Sequence, residues 1–208
     1  MMSLVNKIRN RSIKIIIKKI KTKFLTVSNG YILNLNNYNM VSYEEKYNCY
    51  ALIPMQMYHL KTMIELYGNQ IGSYKYDILK KRIAEQNKHI PYVVVDKEGD
   101  LYGYFHLSIG DTRDGTINID VQVSKNTVYL FDDYTFLEKR GKGIHKFSVY
   151  SRLELAKKLG YSKAIVNILK GNLYSEKSYQ GLGFIKNLVY YYVHILNFKK
   201  TFTRVVKK

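Results

Sequence analysis

Two glycines and two cations stand together in the sequence Arg140-Gly141-Lys142-Gly143. Glycine has no Cβ, so the chain can turn sharply here and its backbone can approach a ligand closely. The amphipathic run that follows predicts a helix over residues 144–159, and the N–H groups at the N-terminus of a helix attract anions. We therefore interpret this turn as a binding site for a phosphate-bearing ligand.

Two other phosphate-binding motifs are excluded, because the chain lacks a residue that the chemistry of each motif requires. A nucleoside-triphosphate loop has four residues between its glycines, followed by a lysine. Gly110 and Gly115 have this spacing, but Thr116 stands at the position of the lysine. A dinucleotide fingerprint needs a third glycine three residues after Gly143, and Lys146 stands there.

The predicted elements place the turn between a strand and a helix. Helices are predicted around residues 55–67 and 74–86, and a β-hairpin over residues 90–109. A strand, the glycine turn, a helix and a further strand then follow between residues 127 and 169, which is the length of a parallel crossover. The sequence thus predicts a mixed α/β fold: a mostly antiparallel sheet with one parallel strand pair and flanking helices.

A second motif lies downstream, in the sequence "NLYSEKSYQGLGF". It matches the pattern Asn-x-x-Ala/Ser-x-x-x-Tyr-x-x-x-Gly-Phe at Asn172, Ser175, Tyr179, Gly183 and Phe184. Together with the glycine turn, this motif resembles the GNAT superfamily of acyl-CoA-dependent N-acetyltransferases. In that family the turn reads Arg/Gln-x-x-Gly-x-Gly/Ala. The chain matches this pattern at Arg140 and Gly143, and it departs from it at the last position, where it has His145.

The resemblance implies acetyl-CoA as cosubstrate and acetyl transfer to an amine. It implies that main-chain groups around Asp133, Thr135 and Leu137 hold the pantetheine and polarise the thioester carbonyl. The pyrophosphate is expected at the turn, on Arg140, Gly141, Lys142, Gly143 and His145. Asn172 is expected either to bond the cofactor or to cap the helix that it begins.

The resemblance also assigns the proton chemistry. Tyr179 matches the family's tyrosine that protonates the sulfur of the departing CoA, although packing of an aromatic ring would also explain it. Some members carry a glutamate base where this chain has Tyr129. By strand alternation Asp133 shares a face with Tyr129, so we name it as a candidate base, with a structural ion pair as the alternative. His106 is a more distant candidate. No His/Cys/Asp spacing indicates a metal.

Charge and composition restrict the compartment and the partners. The net charge is +18, and residues 1–43 contain eight Lys/Arg and no acid. We expect a basic amphipathic helix over residues 1–28, ahead of a domain over 29–208, and this helix either binds an anionic membrane through residues 1–25 or packs on the domain. The single cysteine and the lack of a signal peptide predict a cytoplasmic protein, with peripheral contact at the inner membrane face as a further expectation.

The sequence leaves three hypotheses open, two about the acceptor and one about a role without catalysis. One is a small-molecule primary amine, such as an amino sugar in a cell-surface polysaccharide pathway. The basic N-terminal helix ahead of the domain loosely resembles the arrangement of GNAT enzymes in such pathways. Another is aminoacyl-tRNA, as in toxin-like GNAT enzymes, which a positive charge would favour electrostatically. The third is a non-catalytic GNAT-fold module that docks to a membrane or a nucleic acid.

Overall fold

The computed structural model describes residues 24–38, 47–85 and 87–206. Residues 1–23 of the helix that was predicted over residues 1–28 therefore lie outside the described residues. Its last four residues are predicted wrongly, because they belong to strand β1, Leu25–Asn34.

Ten strands are present in the described residues. After β1 they are β2 (Tyr50–Pro54), β3 (His89–Asp96), β4 (Leu101–Ser108), β5 (Thr112–Asp114), β6 (Ile119–Val121), β7 (Thr127–Thr135), β8 (Lys163–Leu169), β9 (Ile185–Ile195) and β10 (Phe198–Val205). Eight of them form one sheet in the order β10-β9-β1-β8-β7-β4-β3-β2, and β5 pairs with β6 in a separate hairpin. Only β7 and β8 pair in parallel, which confirms the predicted fold class.

Four helices accompany the sheet in the described part of the chain: α1 (Met57–Tyr67), α2 (Ser73–Ala84), α3 (Ile144–Lys158) and α4 (Leu173–Gln180). The two layers that they form can be followed along β3. Val93 is buried in a cluster with residues of α1 and α2, whereas Val94 is buried with Ile144 and Phe147 of α3. Because neighbouring residues of a strand point to opposite faces, α1 and α2 cover one face and α3 covers the other.

The unit β7–α3–β8 is the predicted crossover, and it positions the glycine turn. The turn stands between the end of β7 and the start of α3, at the open end of the parallel pair. Central strand β4 is buried along its whole length, as expected for a strand covered by helices on both faces. Within the described ranges, no helix combines the length and the apolar character that crossing a membrane requires.

Candidate active site

A cleft opens where β7 and β8 separate. The two strands pair only over Thr127–Leu130 and Lys163–Val166, whereas β7 stays bonded to β4 as far as Thr135. Beyond Leu130 the edge of β7 that faces β8 is therefore free of strand pairing. A cavity of about 880 Å³ lies here, with β7, the glycine turn and α4 around it. Its lining includes Asp133, Thr135, Arg140, Gly143, His145, Asn172 and Ser178.

Gly143, the second glycine of the turn, has a backbone conformation that favours glycine. Gly143 is the N-cap of α3 and has a left-handed φ of 78°. A Cβ on this residue would lie 2.7 Å from the Tyr47 hydroxyl oxygen, so the Tyr47 side chain would have to move to admit it. The carbonyl of Gly143 accepts the first helical hydrogen bond, from Phe147 N–H at 2.9 Å. The N–H groups before Phe147 thus begin the helix without acceptors inside it, and such groups favour the binding of an anion.

Arg140 joins the turn to the end of β7. Its Nε donates to the Thr135 carbonyl oxygen at 3.2 Å, and its guanidinium lies over the Tyr134 ring, 5.6 Å from the centroid. The hydroxyl oxygen of Thr135 is buried, and it finds no hydrogen-bond partner among the described residues. A polar atom without a partner beside a cleft fits a site that is completed by a ligand.

The floor of the cleft contains a buried ion pair. Arg152 on α3 donates to Asp133 through Nη1 to Oδ1 at 2.8 Å and through Nη2 to Oδ2 at 2.6 Å. Its Nε donates to the Ser148 carbonyl at 3.0 Å, and Nη1 also donates to the His106 carbonyl. Arg152 is completely buried. Burial would raise the pKa of the Asp133 carboxyl, but the charge of Arg152 and the hydrogen bonds from His145 and Arg152 hold it well below its usual range.

Tyr179 and His145 complete this cluster. The Tyr179 hydroxyl donates to Asp133 Oδ2 at 3.1 Å, and His145 Nε2 lies 3.5 Å from the same oxygen. The two rings meet edge to face at 5.5 Å. Burial and then the charge of Asp133 raise the pKa of Tyr179 well above its ordinary value. Tyr179 is thus protonated at neutral pH, and its proton is held by Asp133.

A second polar cluster occupies the other face of the sheet, around Asp132. Its carboxylate is paired with Lys75 Nζ, at 2.7 Å, and with Arg82 Nη1. His106 Nδ1 lies 3.0 Å from the Asp132 carbonyl oxygen, and its Nε2 lies 3.1 Å from Arg82 Nη1. Since a carbonyl can only accept, Nδ1 carries the proton and Nε2 accepts from the arginine. Burial, followed by the charge of Arg82, lowers the pKa of His106 to about 3.

A β-bulge separates the two clusters and corrects one prediction. Phe131 and Asp132 both contact Arg82, so two consecutive residues of β7 point to the same face. Asp132 has a positive φ of 51°, and the pairing with β4 shifts at this point. The alternation is therefore reversed after Phe131. Asp133 lies on the face opposite Tyr129, and the prediction that they share a face was wrong.

The structure brings most of the predicted site residues together around the cleft. Asn172 lines it and also caps α4, because its side chain accepts from Ser175 N–H at 3.2 Å. Two predicted cofactor residues are placed elsewhere. Leu137 donates its N–H to Gln70 Oε1 at 2.9 Å, so this amide is not directed at the cleft. Lys142 extends over the Tyr102 ring, with Nζ 5.3 Å from the centroid, and does not line the cavity.

Arg152 is the functional residue that reasoning from the sequence missed. The signal is a charged residue at a position that the helix period assigns to the core. Ser148, Arg152 and Ala156 follow one another at steps of four, and all three are buried. An arginine on the buried face of a helix requires a carboxylate partner, and Asp133 provides it. Within the described residues no group of His, Cys, Asp or Glu is arranged to hold a metal ion.

Comparison with known proteins depends on structure, because no protein-family model and no curated protein sequence matches this chain. A GCN5-related glucosamine N-acetyltransferase region of a fungal multi-domain GH3 β-N-acetylglucosaminidase superposes with a TM-score of 0.61 at 14% identity, covering 87% of this chain and 22% of that one. A functionally unknown conserved protein from Staphylococcus epidermidis gives 0.54 at 10% identity, over 85% and 65%. Spermidine N-acetyltransferase from Vibrio cholerae, in complex with CoA and spermine, gives 0.50 at 17% identity, over 66% and 82%.

The chain thus spans about a fifth of the fungal protein. The similarity in each case extends over about two thirds or more of the present chain. It agrees with the single parallel pair, the cleft between β7 and β8 and the glycine turn before α3. On these grounds, the chain has the fold of the GNAT superfamily of N-acetyltransferases.

Proposed function

We propose that this protein transfers an acetyl group from acetyl-CoA to a primary amine of a small molecule. The observation that carries the proposal is the cleft between β7 and β8, closed at one end by the N-terminus of α3. Two proteins of the same fold support the reaction class by their names, a glucosamine N-acetyltransferase region and a spermidine N-acetyltransferase in complex with CoA.

The residues around the cleft fit this cosubstrate. Acetyl-CoA would supply an activated acetyl thioester and a pyrophosphate. The N–H groups at the start of α3 and the charge of Arg140 suit the pyrophosphate, since a helix N-terminus and a guanidinium both favour anions. The free edge of β7 beyond Leu130 offers main-chain groups to an extended pantetheine, and the buried Thr135 hydroxyl lies on the same stretch.

We assign Tyr179 the role of proton donor. When the amine nitrogen attacks the acetyl carbon and the carbon–sulfur bond breaks, the nitrogen releases a proton to bulk solvent and the thiolate gains one from a donor that solvent reprotonates afterwards. Tyr179 is protonated at neutral pH, so its hydroxyl can supply the second proton. In the structure this proton is bonded to Asp133, and it must turn toward the sulfur during the reaction. Arg152 lies close enough to Tyr179 to offset part of the negative charge left on its oxygen.

Asp133 suits an anchoring role better than the role of base. Its carboxylate is clamped by Arg152 and has a lowered pKa, so its affinity for a proton is small. The same carboxylate accepts the Tyr179 hydrogen bond and lies beside His145. We propose that Asp133 holds these two side chains at the cleft rather than removing the proton of the amine.

An amino sugar is the acceptor class that we propose first. The fungal region named as a glucosamine N-acetyltransferase has a TM-score of 0.61, above that of the spermidine enzyme. Under the hypothesis of a cell-surface polysaccharide pathway, this amino sugar would be attached to a nucleotide or lipid carrier. Polyamines are the second class for a screen.

The test is a calorimetric titration of acetyl-CoA into the purified chain, followed by a screen of amino sugars and polyamines. Free CoA thiol released with each amine is measured by a colorimetric thiol reagent. We expect micromolar binding with a stoichiometry of one, and amine-dependent thiol release. Absence of acetyl-CoA binding would refute the cofactor site, and binding without thiol release for any amine would refute the transferase.

A further inference from the structure

The β9–β10 hairpin ends in a tip of large apolar side chains. The strands are joined by Leu196 and Asn197, and Leu196 is 92% exposed, with a left-handed φ of 51°. Ile195 and Phe198 beside it are 46% and 54% exposed. A leucine in this backbone conformation is unfavourable by comparison with glycine or asparagine, and full exposure gives it no packing in return. Such a tip is unexplained by the fold alone.

The part of the sheet that carries the tip has no acidic residue. The sequence after Glu176 contains none up to its last residue, and neither does β1. Strands β10, β9 and β1 lie side by side, so these acid-free segments form three neighbouring strands at one edge of the eight-stranded sheet. Its cations include Lys186, Lys199, Lys200 and Arg204.

The topology places the start of β1 beside the tip. Leu25 at the start of β1 pairs with Val193, and Lys199 pairs with His194. The chain before Leu25 therefore enters the sheet two to three residues from the apolar tip. The start of β1 and the lysines of β10 thus lie at the same end of this hairpin.

These features select one kind of partner. A basic surface attracts an anionic partner and repels a second copy of itself. A nucleic acid would be bound by cations and flat aromatic rings, but the most exposed side chain at the tip is aliphatic. Aliphatic and aromatic groups flanked by lysines are the composition that enters the interface of an anionic bilayer. We propose that the β9–β10 tip docks on an anionic lipid membrane, with Leu196 and Phe198 inserted and Lys199 and Lys200 at the headgroups.

The experiment is sedimentation of the full chain with vesicles of phosphatidylcholine alone or with 30% phosphatidylglycerol. The double variant Leu196→Asn, Phe198→Thr removes the apolar tip. Asparagine tolerates the left-handed conformation, so the turn should be retained. The matched control is Leu66→Gln on α1, which removes a leucine of 61% exposure elsewhere on the surface. Thermal unfolding and acetyl-CoA binding check that each variant is folded.

We expect wild type and the Leu66→Gln control to bind the anionic vesicles and not the neutral ones, and the double variant to bind at least tenfold more weakly. A Lys199→Gln, Lys200→Gln variant should bind more weakly at low salt, whereas Lys80→Gln, Lys81→Gln on α2 should not. Equal binding of the double variant, or no binding by wild type, would overturn the proposal. So would a change of oligomeric mass or of RNA binding in the double variant without a change in vesicle binding. The proposal is independent of acetyl transfer, because none of the substituted residues lines the cleft.

Discussion

Arg152 and Asp133 form a two-point ion pair across the interface between α3 and β7, with both nitrogen–oxygen distances below 3 Å. The pair is almost completely removed from water. Such pairs contribute little to net stability relative to an apolar core, but removal of one partner leaves a buried charge without compensation. Because the pair ties the bulged part of β7 to α3, it also holds Asp133 where it bonds the buried Tyr179 and contacts His145, and of these two His145 lines the cleft.

We predict that Arg152→Met is strongly destabilising. The substitution preserves the bulk of the side chain but leaves the Asp133 carboxylate buried without its cation, which should lower the free energy of unfolding by about 3–5 kcal/mol. Chemical denaturation of wild type and variant measures this difference.

The matched double variant Arg152→Met, Asp133→Asn removes both charges and should regain most of the loss. Arg113→Met breaks an exposed pair with Asp120 and should change the free energy of unfolding by less than about 1 kcal/mol. If Arg152→Met were no more harmful than Arg113→Met, the ion pair would not have the structural role that we assign to it.

Gly143→Ala should damage acetyl-CoA binding. The new Cβ would lie 2.7 Å from the Tyr47 hydroxyl, on a backbone whose φ of 78° disfavours any side chain. We expect a loss of at least tenfold in affinity, measured by calorimetry. Gly99→Ala is the control, because it carries the same backbone cost at a φ of 88° but meets no atom within 4 Å. Unchanged affinity in the folded Gly143→Ala protein would remove the turn from the cofactor site.

Tyr179→Phe should lower the acetylation rate by roughly 100-fold while leaving the affinity for acetyl-CoA within about threefold of wild type. The reason is that phenylalanine keeps the buried ring but has no proton to give to the departing thiolate. Turnover and binding are measured separately, by thiol release and by calorimetry. A rate equal to that of wild type would leave Tyr179 with a packing role only.

His106 should make the protein sensitive to moderate acid. Its pKa is about 3 in the folded protein, compared with an ordinary value of 6.5, so between these values the unfolded chain binds a proton that the folded chain excludes. Stability therefore falls as the pH falls below 6.5, by up to about 1.4 kcal/mol per pH unit from this group.

His106→Asn keeps a donor for the Asp132 carbonyl and removes the titration. The free energy of unfolding of this variant should fall less steeply between pH 6.5 and 4.5 than that of wild type. His59 and His89 also have lowered pKa values through burial, but they contribute equally to both proteins. Identical slopes would show that His106 does not exclude the proton.

The elements of the fold could be predicted, because each of them follows from the pattern of residues within its own segment. The strand, turn, helix and strand between residues 127 and 169 were confirmed, and so was the Asn172 cap. The faces of β7 were not predicted, because the bulge at Asp132 inserts one residue and reverses the alternation. The extent of β1 was missed for a related reason: its first residues are strand only because β9 pairs with them. The role of Arg152 depends on a partner 19 residues away on another element, which no periodicity specifies.

The position of β1 has a consequence for the order in which the molecule is assembled. It is synthesised before every other described strand, but both of its neighbours come from residues 163–195. A nascent chain leaving the ribosome must keep this strand unpaired until almost the whole sequence has emerged, and contacts so distant in sequence form slowly. Removing the last forty residues would therefore leave β1 with one open edge, and removing β1 would detach β9 and β10 from the rest of the sheet.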